Sequence, residues 1–248
     1  MPREVGHMGA LQNLIEAIYP PHCLACAEPV GSDGALCPAC WREAQFLGGT
    51  LCDTCGAPLP GEPDGGPLSC DECLATPRPW SVGRAALAYT GTGRRLALSL
   101  KTADRTDLPG AAALWMARAG RGLLAGDPLV APVPLHWIRL FRRRYNQSAL
   151  LSAALARAEG LEHCPDLLTR RRATPSQDGR ARDARFANVD GAITVGPRRR
   201  ARVSGRAVLL IDDVMTSGAT LAAAAEACRA AGASDVRVLA LARVLKND

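Results

Sequence analysis

Along the chain the spacing of apolar residues changes character twice. Leu11, Leu14, Ile15 and Ile18 recur at helical spacing, and Pro20 and Pro21, which cannot supply interior amide bonds, close that helix. Residues 22–75 have few large apolar side chains and are punctuated by cysteine, glycine and proline. From residue 84 the pattern becomes an alternation of strands and helices. It predicts a strand over 85–89, helices over 93–101 and 108–119 with Pro109 in the first turn of the second, and a strand over 128–134. An Ala/Leu helix follows over 147–159, stopped by Gly160. Residues 168–189 are polar and arginine-rich, carry Pro175 and Gly179, and read as a long mobile loop suited to a lid. The clearest unit comes last: a buried strand over 207–211, a small-residue turn over 216–220, a helix over 221–231 stopped by Gly232, and a strand over 236–244. Strand, helix and strand in that order imply a parallel sheet.

Three parts are therefore expected: an N-terminal helix over 1–21, a cysteine module over 22–75, and an α/β domain over 80–248. The boundary falls in the proline-bearing segment 75–79. Only 4% of residues are aromatic, so alanine, leucine and valine must fill the core. The longest apolar stretches fall far short of the roughly 20 residues that cross a bilayer. The N-terminal segment lacks the uninterrupted apolar run of a secretory signal. The expectation is a cytoplasmic protein with no membrane insertion.

Charge divides the chain at nearly the same place. Residues 1–80 hold 3 Lys and Arg against 10 Asp and Glu, whereas residues 81–248 hold 27 against 14. Within 139–206 there are 16 arginines and 6 acids, including Arg142, Arg143 and Arg144, Arg170, Arg171 and Arg172, and Arg198, Arg199 and Arg200. Such a stretch suits a polyanionic ligand; the plainer reading is a solvated charged face.

Eight of the ten cysteines form four CxxC pairs: Cys23 and Cys26, Cys37 and Cys40, Cys52 and Cys55, Cys70 and Cys73. Two intervening residues let both thiolates reach one ion from a tight knuckle, and two knuckles complete a tetrahedral site. Two structural Zn2+ sites are expected, replacing the core that so short a module lacks; iron–sulfur ligation and redox dithiols are the rivals. Sequential pairing of the knuckles is favoured, with an interleaved arrangement as the alternative. A Cys52→Ser change is expected to unfold mainly this module. Cys164 and Cys228 read as buried small hydrophobes.

The segment from Val208 to Thr220 joins a strand, two carboxylates, a small hydroxylic loop and a helix start. Asp212 and Asp213 stand where side chains of a parallel strand enter the ligand crevice, and can accept from vicinal sugar hydroxyls or hold a hydrated cation. Thr216, Ser217, Gly218, Ala219 and Thr220 offer successive amides, hydroxyl donors and a helix N-terminus, a nest for a phosphate dianion.

These thirteen residues resemble the phosphoribosyl-diphosphate (PRPP) signature of type I phosphoribosyltransferases. With the four CxxC pairs, the run Pro132, Val133, Pro134 and Leu135, and Tyr145, Asn146 and Gln147, the chain resembles the ComF family of double zinc ribbon, phosphoribosyltransferase-like proteins associated with competence and DNA uptake. Thr174 with Gln177, and Arg185 with Asn188, extend the match. The resemblance implies that Asp212 and Asp213 bind the ribose hydroxyls and the 216–220 loop binds the 5′-phosphate. It also implies a diphosphate loop over residues 133–136, ending at His136, with Mg2+ bridging sugar and diphosphate, and a closing hood from Gln177 to Arg185. Lys101, Arg144, Asn146 and Gln147 are further candidates on the diphosphate side. Arg144 stands where the family commonly has glycine, and Thr102 follows Lys101 where an aromatic is usual. Lys101 also reads as a cation ending a helix, and Asn146 as a helix cap. Two functions fit: phosphoribosyl transfer from PRPP to an unknown acceptor, or a non-catalytic PRPP sensor or single-stranded-DNA-binding protein working with DNA-uptake machinery.

Overall fold

The computed structural model describes residues 19–62, 65–101, 105, 107–135, 145–170 and 191–245. The expected N-terminal helix lies almost wholly outside them. In chain order the elements are α1 (Pro38–Glu43), α2 (Asp71–Ala75), β1 (Val82–Ala88), α3 (Gly91–Ser99), α4 (Leu108–Ala119), β2 (Leu129–Pro132), α5 (Gln147–Glu159), β3 (Leu168–Arg170), β4 (Ile193–Val195), α6 (Arg200–Val203), β5 (Ala207–Met215), α7 (Ala219–Ala230) and β6 (Asp235–Arg243).

Four parallel strands form the main sheet in the order β1-β6-β5-β2. Helices cover both faces, so β5 reads Val208, Leu209, Leu210, Ile211 without a polar break. The faces still alternate with period two. Val208 and Leu210 belong to the cluster that includes Ala222 and Ala225 of α7, whereas Leu209 and Ile211 join Leu96, Met116 and Leu151 from α3, α4 and α5.

Several expected boundaries move. The strand placed at 207–211 runs on to Met215, because pairing with β6 continues from Ala207 opposite Asp235 to Met215 opposite Arg243. The helix placed at 221–231 begins at Ala219, with Gly218 at its cap. Residues 168–170, expected within a loop, form β3 and pair antiparallel with β4. That pairing partner is too distant in sequence for a local pattern to reveal.

The cysteine module wraps the β1 edge of the sheet. Residues 45–47 run antiparallel beside β1: the Leu47 amide donates to the Ala86 carbonyl at 2.9 Å, and the Ala88 amide to the Gln45 carbonyl at 2.8 Å. An exposed strand edge is thereby covered. On one face Leu24, 1% exposed, enters the cluster of α3 and α4; on the other, Cys52, Cys55 and Cys73 enter the cluster of α7. Gly83 permits the second contact, since a Cβ there would stand 2.4 Å from the Thr54 carbonyl oxygen. The expected boundary segment 75–79 is thus no free linker. It carries Arg78, whose side chain is 2% exposed, and leads straight into Trp80, 4% exposed.

Candidate functional site

At the carboxyl end of β5 the chain places Asp212 and Asp213, then Thr216, Ser217 and Gly218, and then the first turn of α7. Asp212 Oδ1 accepts from the Ser148 hydroxyl at 2.9 Å and from the Asp213 amide at 3.0 Å. Asp213 Oδ1 accepts from the Val214 amide at 2.8 Å. Desolvation, and then the charge of Asp213, push the Asp212 carboxyl well above the usual carboxylate range, with the Ser148 hydrogen bond opposing them. Two crowded carboxylates at the mouth of a crevice call for a cation or for hydroxyl donors.

The loop that follows is shaped for an anion. Gly218 has φ 77°, in the left-handed region that glycine adopts without a Cβ clash. A Cβ there would also meet the Trp80 ring at 3.1 Å. Ser217 Oγ accepts from the Ala219 amide at 3.4 Å, Thr216 is exposed and Thr220 half-buried. α7 supplies twelve residues of helix behind this turn, so its N-terminal partial charge faces the loop.

On the other side of β5, the Val133 amide donates to the Ile211 carbonyl at 2.9 Å, fixing the start of the loop after β2. Asn146 Nδ2 donates to the Val133 carbonyl at 3.0 Å, while its Oδ1 accepts from the Ser148 amide at 3.1 Å and caps α5. Pro134 is buried and Leu135 half-buried. Gln147 is 2% exposed, and among the described residues its Nε2 has no hydrogen-bond partner. Asn146 and Ser148 thus tie the loop after β2 to the acid pair. Ser148 escaped the sequence reading, because only the packing of α5 on β5 brings it to Asp212; its place directly after the Asn146 and Gln147 pair was the available signal.

Lys101 is exposed beyond the end of α3. Next to it the Tyr145 hydroxyl donates to the Leu100 carbonyl at 3.0 Å, so Tyr145 packs there. His136, Arg144, Gln177 and Arg185 lie outside the described residues, as do Thr174, Asn188, Arg142, Arg143, Arg171 and Arg172. Arg170, read from the sequence as part of an arginine surface, is 8% exposed within β3.

The cysteines form two clusters, Cys23, Cys26, Cys37, Cys40 and Cys52, Cys55, Cys70, Cys73, with the Sγ atoms of each within 4.8 Å of one another. The pairing is sequential. The Sγ atoms of Cys26 and Cys37, and those of Cys55 and Cys70, stand 3.6 Å apart. A tetrahedral S4 site with Zn–S bonds near 2.3 Å needs edges of about 3.8 Å, so both clusters fit the ion. Each also holds a thiol prepared for ionisation. Cys23 is lowered to about 6, the amides of Cys37, Ala25 and Cys26 outweighing burial. Cys52 is lowered to about 4, chiefly by a hydrogen bond from Cys55, with amides of Cys70, Cys55 and Thr54 helping against burial. Cys164 and Cys228 are fully buried, and burial pushes the Cys228 thiol up to about 12.

Residues 14–74 match the double zinc ribbon domain, and residues 164–247 the phosphoribosyl transferase domain. The chain is 34% identical to the DNA utilization protein YhgH of Salmonella typhi over 233 residues, covering 91% of this chain and 98% of that protein. Competence protein F of Haemophilus influenzae is 33% identical over 114 residues, which is 46% of this chain and 49% of that protein. Among solved structures, the glutamine PRPP amidotransferase of B. subtilis superimposes over 58% of this chain and 30% of that one, at 19% identity and a TM-score of 0.39. The two domain matches in this order, together with the YhgH relative aligned over nearly its whole length, show that the chain belongs to the ComF family of double zinc ribbon, phosphoribosyltransferase-like proteins.

Proposed function

We propose that this chain binds PRPP, with the 5′-phosphate in the 216–220 loop, the ribose hydroxyls on Asp212 and Asp213, and the diphosphate beside residues 133–135, Asn146 and Gln147. The observation that carries the reading is the continuity of β5 through the acid pair into a left-handed glycine and a helix N-terminus. Anionic and polyol recognition are thereby set side by side. The crowding that raises Asp212 is what a divalent cation relieves, so the residues present suit Mg2+ arriving with the ligand. When bound, the ion supplies charge neutralisation at the diphosphate. The chain's own part is to orient the sugar: Ser148 holds Asp212, and Asn146 holds the Val133 carbonyl.

The cellular role follows the relatives named for DNA utilization and competence: a cytoplasmic, PRPP-responsive step in the handling of DNA. For single-stranded DNA, part of the positive charge among the described residues is internally paired. Arg199 pairs with Asp166 at 2.6 Å, and Arg202 and Arg206 share Glu162. Among the described residues of the arginine-rich stretch, Arg157, Arg198 and Arg200 stand exposed.

Isothermal titration with Mg2+ and PRPP tests the proposal. Saturable binding by the wild type, and none by Asp212→Asn with Asp213→Asn in a protein that keeps its circular dichroism, is the expected outcome. Wild-type affinity in the double variant would remove the ribose assignment. Diphosphate release against nucleobases and amines then separates transferase from sensor.

A further inference from the structure

The phosphate loop rests on two residues that precede the parallel sheet. Arg78 Nη1 donates to the Ser217 carbonyl at 2.9 Å, and Nη2 to Glu72 Oε1 at 3.0 Å. Its guanidinium also lies 5.7 Å from the centre of the Trp80 ring. Trp80 forms the floor under Gly218, and its Nε1 donates to the Thr54 carbonyl at 2.6 Å. Thr54 lies between Cys52 and Cys55, and Glu72 between Cys70 and Cys73. Each knuckle of the second cysteine cluster therefore grips one of the two residues that grip the loop.

The Ser217 carbonyl and the Gly218 amide belong to one trans peptide, in which C=O and N–H point opposite ways. An arginine that fixes that carbonyl on its own side therefore turns the Gly218 N–H to the far side, as a donor already aimed. Among the described residues no such chain to this loop leaves the first cluster, whose Leu24 carbonyl accepts from Arg105 Nη2 at 2.8 Å. There Arg95 contacts Cys40 Sγ at 3.6 Å and pairs with Glu43 near the start of α3, and Leu24 packs on the opposite face of the sheet.

We propose that Arg78 is a positioning residue for the phosphate loop, and that through Arg78 and Trp80 the second zinc centre, not the first, sets affinity for a sugar 5′-phosphate. The proposal rests on the reading of this loop as the 5′-phosphate site. Carrying the effect is a set of direct contacts, and coupling along it is a measurable quantity.

Full-length wild type, Arg78→Gln, Arg78→Lys, Glu72→Gln and, as control, Arg95→Gln are titrated with Mg2+-PRPP, with ribose 5-phosphate, and with Mg2+-diphosphate. Zinc content is measured on the same samples. Loss of a hydrogen bond from a charged donor predicts that Arg78→Gln weakens PRPP and ribose 5-phosphate by roughly tenfold or more. Diphosphate affinity should be unchanged and both zinc ions retained. Glu72→Gln follows in the same direction, Arg78→Lys recovers part of the loss, and Arg95→Gln matches the wild type. Equal affinities in wild type and Arg78→Gln overturn the proposal. A loss shared equally by diphosphate overturns it too, since that is the signature of general unfolding. Should Arg78→Gln fail to fold, Arg78→Lys and Glu72→Gln decide by the same criterion. A wild type that binds neither PRPP nor ribose 5-phosphate removes the loop assignment itself, which is a different result.

Discussion

Around the first zinc centre Cys26 is exposed, and Cys23, Cys37 and Cys40 form a small cluster of their own with Ala25, Val30 and Leu36 beside it. Around the second, Cys52 and Cys55 are 0% and 1% exposed and lie in the same core as Trp80, Met215, Val238 and the alanines of α7. Buried arginines differ in the same way. A tetrathiolate zinc site carries net negative charge, and at the second centre the guanidiniums of Arg78 and Arg243, 4% exposed, act to lower the Cys73 and Cys55 thiols. At the first centre Arg95 and Glu43 are both nearly half exposed. The same pair of CxxC knuckles thus gives one centre that staples a peripheral knuckle pair and another that belongs to the core beneath the ligand loop. The spacing determines the coordination chemistry; what backs the ligands determines the role.

The largest consequence concerns stability. Cys52→Ser is expected to destabilise the α/β domain together with the ribbon, against the simpler expectation of damage confined to the module. Cys23→Ser should leave the α/β transition in place. Differential scanning calorimetry of the two variants reads this directly, and two equal, local effects would erase the distinction. Next in size is the buried pair. Removing one partner of a buried ion pair costs about 3–5 kcal/mol, so Glu72→Ala should lower the melting temperature far more than Glu43→Ala, whose partner is exposed.

Metal removal sharpens the contrast further. A chelator should extract one zinc equivalent quickly, from the centre with the exposed Cys26, and the second only as the core opens; a single rate for both ions would count against the two environments. The smallest effect lies at Asp212. Because its carboxyl is raised by burial and by Asp213, the neutral form favours the ligand-free fold. Its contribution to stability is present at low pH and is lost as pH rises through the raised value. Asp212→Asn should therefore raise the melting temperature of the ligand-free protein near neutral pH by about 2–4 °C, the shift of a ~1 kcal/mol gain in a chain of this size. In the wild type, PRPP affinity should fall on acidification at a higher pH than for an ordinary carboxylate.

How much of this the sequence disclosed depended on the range of the forces involved. Local signals sufficed for α4 and for α5, whose bounds match the periodicity and whose stop, Gly160, has φ 67°. They sufficed for the four CxxC pairs and for the β5, α7 and β6 unit. They failed where a distant partner decides. The acids extend β5 because β6 pairs alongside them, β3 forms because β4 pairs with it, and Ser148 reaches Asp212 because α5 packs on β5. Arg78 was hidden by Pro77 and Pro79, which mark its segment as a loop. A tryptophan next to them, one of only four in the chain, was the cue that this stretch is buried.

The claim that the two centres divide the work is tested most directly by measuring Mg2+-PRPP affinity in Cys26→Ser and Cys70→Ser, with zinc counted in each. Each variant should keep one zinc ion. Cys26→Ser should bind PRPP as the wild type does, whereas Cys70→Ser should bind at least tenfold more weakly, by the loss of the charged hydrogen bonds held through Glu72 and Arg78. Equal affinities in the two variants would contradict the account.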